Sequence, residues 1–262
     1  AMSLPFAPAK GTNAVLALHL EWLAQFDGSL DDLFRSATDD YLQSLTTTVA
    51  DIEIRTPDLS SVANRALEHT QSLTIVAGSA GSGKSVLLAQ TVREARDRGW
   101  PVLAFRIDRF LEAQSLSELG QALLDTPQSP VSAFGNRNVR NPCLLVIDQV
   151  DAVSEASGRS GRIRDLFFKM VGECAFFPEM RLVAACRTYD LEGDSRLHTL
   201  SKGARVVTEK LKPLPWDDAV QPVLIRLGLA KRAFTERERQ LLSVPINLHL
   251  FASVTISDGA PG

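Results

Sequence analysis

Cysteine is scarce in this chain. Cys143, Cys174 and Cys186 are the only three in 262 residues, and none stands in C-x-x-C or another metal-ligand spacing, which leaves no cysteine-based metal site to propose. Cys143 and Cys186 sit at the edges of apolar runs, where cysteine behaves as a small buried hydrophobe. The set therefore reads as reduced core thiols of a cytosolic protein. No apolar stretch approaches the roughly 18 residues of a membrane span, and no opening stretch reads as a signal peptide. A cytoplasmic location with no membrane partner is the expectation. There is no basic block, and a formal net charge of −3 gives no general argument for a nucleic-acid partner, although a local basic patch would be compatible with it. No N-K-x-D motif appears, so a guanine-specific pocket has no support and adenine is the default base. Internal repeats and low-complexity tracts are absent too.

What is present fits an ordinary globular protein: 45% hydrophobic and 23% charged residues over a length suited to one large domain or two modest ones. Ala1 ahead of Met2 reads as a residue left from cloning, so the chain is expected to be a piece of a longer protein. Residues 1–60 read as an N-terminal helical segment. Val15, Leu18, Trp22, Leu23 and Phe26 repeat at helical spacing until Asp27-Gly28, and a second stretch runs through Leu33, Phe34, Tyr41, Leu42 and Leu45. A short extended piece from Asp51 to Arg55 ends at Thr56-Pro57, and a short helix follows from about Ser61.

Residues 61–212 alternate between strands and helices. Leu73 to Ala77, Val102 to Ile107, Cys143 to Ile147, Arg181 to Cys186 and Ala204 to Leu211 are strand candidates. Helices are predicted from Lys84 to Arg98 with Gly99 as terminal cap, after a capping box at Ser115 and Glu118, and through Ile163, Leu166, Phe167, Met170 and Val171. Thr126 to Pro142, rich in Pro, Asn and Ser, reads as a loop. This order predicts an α/β fold with a five-stranded, mainly parallel sheet between helices. Residues 213–262 read as a small, incomplete helical domain. Pro213 and Pro215 form a stiff link, Asp217 caps a helix ending at Gly228, and another helix starts at Thr235. Leu241, Leu242, Val244, Pro245, Leu248, Leu250 and Phe251 are expected to be buried.

The central motif is Gly78-Ser79-Ala80-Gly81-Ser82-Gly83-Lys84-Ser85, which fits G-x-x-x-x-G-K-[ST]. Glycines let successive backbone N–H groups converge on phosphate oxygens, and the helix that starts there adds its positive end. Lys84 would reach the β- and γ-phosphates, Ser85 would ligate Mg²⁺, and Val86 would follow in the nucleotide-binding set. A chance match in a chain this long is on the order of 1%. Leu144-Leu145-Val146-Ile147-Asp148 is an apolar strand ending in an acid. In a parallel sheet that end lies beside the phosphate loop, where Asp148 would hold Mg²⁺ through a water. Arg187, directly after the strand ending at Cys186, would sit near the γ-phosphate. An arginine there can equally pair with a surface acid.

Together with Leu242-Ser243-Val244-Pro245, these segments resemble a STAND NTPase, the class of signal-transduction ATPases that includes NACHT and NB-ARC modules and many bacterial antiphage sensors. The resemblance covers about Ser61 to Val254. It departs at Ala152, where many NACHT proteins carry an acid. It implies a P-loop NTPase core with a truncated helical lid whose Pro245 approaches the nucleotide. It also implies ATP/ADP and Mg²⁺ as cofactors, a regulatory switch with slow hydrolysis, and self-association in the ATP state that drives an unidentified effector in response to an unidentified ligand. A nucleotide-gated scaffold that does not hydrolyse, and an AAA+ motor acting on nucleic acid or protein, are the alternatives.

The two family patterns differ over the water-activating residue. An AAA+ enzyme usually has glutamate directly after the metal-binding aspartate, where this chain has Gln149, which can orient water but not accept its proton. The STAND pattern places an acid three residues on, where Asp151 stands. Asp151 is also readable as a surface loop acid or a helix cap. The expectation is slow hydrolysis with Asp151 as base or water-orienting carboxylate and Gln149 secondary.

Overall fold

The computed structural model describes residues 30–54, 57–68, 73–154 and 161–257. The helical pattern read around Val15 to Phe26 lies outside the described residues. Among those residues, β3 (Leu73–Gly78), β4 (Val102–Arg106), β5 (Cys143–Asp148), β6 (Met180–Arg187) and β7 (Val206–Lys210) form one sheet in the order β4-β5-β6-β3-β7. Every pairing is parallel. The strand leading into the glycine-rich loop is therefore flanked by β6 and β7, and β5 lies one strand further out.

A parallel sheet with helices on both faces has no solvent side, so its strands read as near-continuous apolar runs whose alternate residues serve two cores. On one face Ile75, Leu103, Leu145, Ile147, Leu182 and Ala184 join side chains of α4 (Leu116–Leu124), α5 (Pro130–Arg137) and α6 (Gly161–Cys174). On the other, Val76, Ala104, Leu144, Val146, Val183 and Ala185 meet Leu87, Leu88, Val92 and Ala95 of α3 (Lys84–Asp97) and Val62, Ala66 and Leu67 of α2 (Pro57–Glu68). All three cysteines are free and buried. Burial pushes the thiols of Cys143 and Cys174 up to about 12 and Cys186 higher still.

The helix over residues 30–43, α1, closes the β4 edge. Phe34 packs edge-on against Phe134 of α5 at 5.1 Å in the first core, and Tyr41 is buried in the second. Between them Thr38 meets the edge strand. Its hydroxyl lies 2.9 Å from the Val102 carbonyl and accepts from the Ala104 N–H at 3.1 Å. An exposed edge would leave such backbone groups open to foreign strands. Asp39 pairs with Arg96 at 2.8 Å and ties α1 to α3.

Several local expectations change. Thr48–Val49 (β1) and Ile52–Glu53 (β2) form an antiparallel hairpin with Ala50 and Asp51 at positive φ, so the extended piece has a partner that the sequence did not reveal. The helix expected from about Ser61 begins earlier, at Pro57, since the first helical turn needs no proline N–H. The presumed loop from Thr126 to Pro142 contains α5, with Pro130 in its first turn and Val131, Ala133 and Phe134 buried; composition concealed a short amphipathic face. Glu118 bonds the Gln114 N–H rather than the Ser115 N–H, so only half of the capping box forms.

Two short helices, α7 (Thr188–Gly193) and α8 (Ser195–Ser201), follow β6. In the C-terminal part, Trp216–Val220 forms a π-helical turn leading into α9 (Gln221–Arg226), and Asp217 lies inside that turn instead of capping it. Gly228 takes φ 73° directly beyond α9. Thr235 and Glu238 make a full capping box on α10 (Glu236–Leu242), and α11 (Pro245–Ser257) follows at 100° to it. Leu242 and Leu248 are buried, whereas Leu241 and Leu250 are 53% and 55% exposed. Both lie on the outer faces of helices that bury only one side. No single described helix is long and apolar enough to cross a membrane.

Replacing Thr38 by valine keeps its shape and leaves the Ala104 N–H without this acceptor. An unsatisfied buried donor costs about 1–3 kcal/mol. Urea unfolding of Thr38→Val is expected to show a lower midpoint at unchanged slope; an unchanged midpoint would contradict the role assigned to this hydroxyl.

Candidate functional site

The carboxyl ends of the strands converge on one edge. Gly78 of β3 is the register partner of Arg187 of β6, and Arg106 of β4 is the partner of Asp148 of β5. The glycine-rich loop turns at Gly81 and Gly83, with φ of 71° and 90°, which only glycine adopts without steric cost. Gly83 is the residue preceding α3, so the loop delivers the helix's unbonded N–H groups to the edge.

Lys84 folds back across this loop, and its Nζ donates to the carbonyls of Gly78 (3.1 Å) and Ser79 (2.9 Å). Burial lowers its proton affinity, with Asp151 and Asp148 pulling the other way. Ser85, one residue on, is hydrogen-bonded to the Asp148 carboxylate.

Asp148 is 1% exposed. Burial raises its pKa from the ordinary value, opposed by the hydrogen bonds from Ser85, the Gln149 N–H and Tyr41 and by the charge of Arg106. The Gln149 N–H donates to Oδ1 at 2.7 Å, and the Tyr41 hydroxyl donates to Oδ2 at 3.2 Å. Gln149 sits at φ 62°, a left-handed turn that folds the backbone back onto the carboxylate.

The 3₁₀ turn from Val150 to Val153 then places Asp151, buried at 5% exposure, against Arg187, whose Nε is 3.0 Å from its Oδ2. Burial raises the Asp151 pKa, opposed by Arg187 and Lys84. Two residues read separately from the sequence thus form one ion pair.

Beyond β7, the Leu211 N–H donates to Ala77 O at 2.8 Å, and Leu214 N–H to Ser243 O at 2.7 Å, so the proline link turns back toward the loop. Pro245 and Ile246, at the start of α11, rest on it. The Ile246 N–H donates to Gly81 O at 3.2 Å, a Cβ added at Gly81 would collide with the Ile246 side chain, and one at Gly83 would touch Pro245. The β1–β2 hairpin packs with this helical unit, since Val49 and Ile54 share a cluster with Leu214, Val223, Leu242 and Leu248.

A cavity of about 340 Å³ lies between these parts. Ala80 to Val86, Gln149, Arg187 and Lys210 give it polar and cationic walls. Val49, Ile54, Leu59, Val62 and Leu214 give it apolar ones, with Thr46 to Thr48, Pro245, Ile246 and His249 completing the lining. Tyr41, Ile246 and the Thr46–Val49 segment were not singled out from sequence. The one available signal was a tyrosine in a helical stripe otherwise made of leucine and phenylalanine, since a buried hydroxyl needs a partner.

These residues fit a nucleotide and a hard divalent ion. The glycine cradle leaves room for phosphate oxygens where side chains would stand. Ser85 and Asp148 are a hydroxyl and a carboxylate already in contact, the oxygen donors that Mg²⁺ takes together with substrate phosphates. Among the described residues no cluster of three or more His, Cys, Asp or Glu side chains offers a metal cage.

No protein-family model and no curated protein matches the sequence. Solved structures do. AMPPCP-bound DnaA from Aquifex aeolicus is 20% identical with a TM-score of 0.54, over 82% of this chain and 67% of that one. The Walker-type ATPase PabY2304 of Pyrococcus abyssi is 16% identical with a TM-score of 0.56, over 83% of this chain and 72% of that one. At such identities the likeness concerns architecture: this chain has the α/β fold of the P-loop ATPases.

Proposed function

We propose that the chain is an ATP-binding regulatory ATPase module that takes Mg-ATP and ADP in the cavity between the glycine-rich loop and α11, and hydrolyses ATP slowly. The observation that carries this reading is the convergence, at one sheet edge, of Lys84 folded over the glycine-rich loop with Ser85 and the buried Asp148. Residues from two distant segments, each suited to Mg²⁺, meet beside a lysine aimed along a phosphate-sized loop. Phosphates would take over Lys84 from the carbonyls of Gly78 and Ser79, and the apolar walls would receive the nucleoside. Bound Mg²⁺ would offset phosphate charge. Ser85 and Asp148 would hold it, the latter through a water.

The Asp151–Arg187 pair gives the reading a switch. A γ-phosphate competes with Asp151 for the guanidinium, and Arg187 drawn to phosphate releases the carboxylate to orient or deprotonate water. ADP lacks that group and leaves the pair closed. Pro245 and Ile246 would transmit the difference to the helical lid, as the resemblance to STAND NTPases implies, with self-association in the ATP state of the longer protein. The likeness to DnaA and PabY2304 supports an AAA+ motor as a second reading. Turnover stimulated by DNA, with steep salt dependence, would favour it.

Removing the lysine tests the site. A ligand at about 100 times its Kd stabilises a protein by about 2.7 kcal/mol. Wild type is expected to melt several degrees higher with Mg-ADP or Mg-ATP, and Lys84→Ala is expected to show no such shift. Equal shifts in both would exclude this loop as the phosphate site.

For the chemistry, single-turnover hydrolysis by Asp151→Asn is expected to slow by roughly 10²–10⁴-fold with ATP affinity kept, the usual effect of losing a positioned base. Gln149→Ala is expected to lose less. If Asp151→Asn turns over like wild type while Gln149→Glu is sharply faster, Asp151 is not the base.

A further inference from the structure

We infer that Tyr41, on a helix outside the sheet domain's motifs, is a positioning residue for the divalent cation: its hydroxyl holds the Asp148 carboxylate in the orientation that receives the ion. This rests on the proposed Mg²⁺ role of Asp148.

Tyr41 and Asp148 are 107 residues apart, and both are almost fully buried, at 2% and 1% exposure. A phenolic hydroxyl at that depth has one proton to donate, and it goes to Asp148 Oδ2. The other oxygen, Oδ1, accepts from the Gln149 N–H. The carboxylate is thus held at both oxygens by neutral groups, and Ser85, which directly follows Lys84 of the phosphate loop, interacts with it as well. A carboxylate free to rotate about its terminal bond would lose part of its cation affinity to that freedom. Groups that orient a metal-binding carboxylate are typically worth 10–100-fold in metal affinity.

Packing does not explain the choice of tyrosine. The other buried members of the second core are all aliphatic, and a phenylalanine would fill the same space without a hydroxyl to satisfy. The hydroxyl is placed with some rigidity. Three residues earlier on α1, Thr38 is bonded to the β4 backbone, and Asp39 is paired with Arg96 of α3. The position of α1 and the orientation of Asp148 are therefore linked, and a displacement of α1 would loosen the cation site without touching the nucleotide loop.

The test uses Mn²⁺ as a spectroscopic stand-in for Mg²⁺ and ADP as the nucleotide. Paramagnetic-resonance titration of Mn²⁺ into the ADP-loaded chain is expected to show affinity weaker by roughly 10–100-fold in Tyr41→Phe than in wild type. ADP affinity in EDTA is expected to be equal in the two. In an Asp148→Asn background the same substitution is expected to add nothing. The chain has two tyrosines, Tyr41 and the exposed Tyr189, so 3-fluorotyrosine labelling gives a second readout that does not depend on the variant's stability. The Tyr41 fluorine resonance is expected to move when Mg²⁺ is added to the ADP complex.

Equal Mn²⁺ affinity in wild type and Tyr41→Phe, or a Tyr41 resonance indifferent to Mg²⁺ while wild type binds Mn²⁺, overturns the positioning role alone. A wild-type chain whose ADP complex takes up no Mn²⁺ overturns the cation site itself.

Discussion

A carboxylate buried beneath a sheet edge is costly unless its oxygens are engaged, and Asp148 is the most deeply placed acid of the candidate site. Its desolvation is met by a left-handed turn at Gln149 that brings a backbone N–H to one oxygen, by a tyrosine from α1 at the other, and by the Ser85 hydroxyl. Each partner constrains a different part of the fold. The turn sets the direction in which the chain leaves β5 and so places Asp151. The tyrosine fixes how α1 lies across the β4 edge. The serine fixes how α3 enters the cleft, and with it the loop that precedes it.

The sheet supplies the geometry. With every pairing within this five-stranded sheet parallel, the ends of β3, β5 and β6 fall at one edge, so residues read at three separate places in the sequence become neighbours. Because β6 lies between β3 and β5, its terminal Arg187 stands beside the loop and within reach of the turn after β5. An arginine at any other strand end would not bridge the two. On the proposed reading this makes the Asp151–Arg187 pair the point at which a third phosphate is noticed. On the same reading, the hydrogen bond from the Ile246 N–H to Gly81 O would carry the state of the loop to α11.

Much of this was legible in the residues, for identifiable reasons. The five strands are buried on both faces and so announce themselves as apolar runs, and the glycine-rich run from Gly78 to Ser85 stands out between a strand and a helix. Short elements held by tertiary contacts were not legible. The β1–β2 hairpin has two residues in each strand and owes its place to the cluster around Leu214 and Val223, and α5 lies in a segment whose Pro and Asn mimic a loop. Within the site, side chains that act at long range escaped as well. Tyr41 looked like one more apolar position of a helical stripe, and nothing local tells Asp151 and Arg187 that they will meet. Leu241 and Leu250 show the converse: apolar composition suggests burial, but each stands on the outer face of its helix.

The central claim is that the cleft between the loop and α11 holds a magnesium nucleotide. Calorimetric titration of ADP and ATP into the chain, with and without Mg²⁺, tests it most directly. The account predicts saturable binding of a single nucleotide per chain, with Mg²⁺ strengthening the binding of ATP. Heats that do not saturate for either nucleotide, or binding indifferent to Mg²⁺ for both, would contradict it.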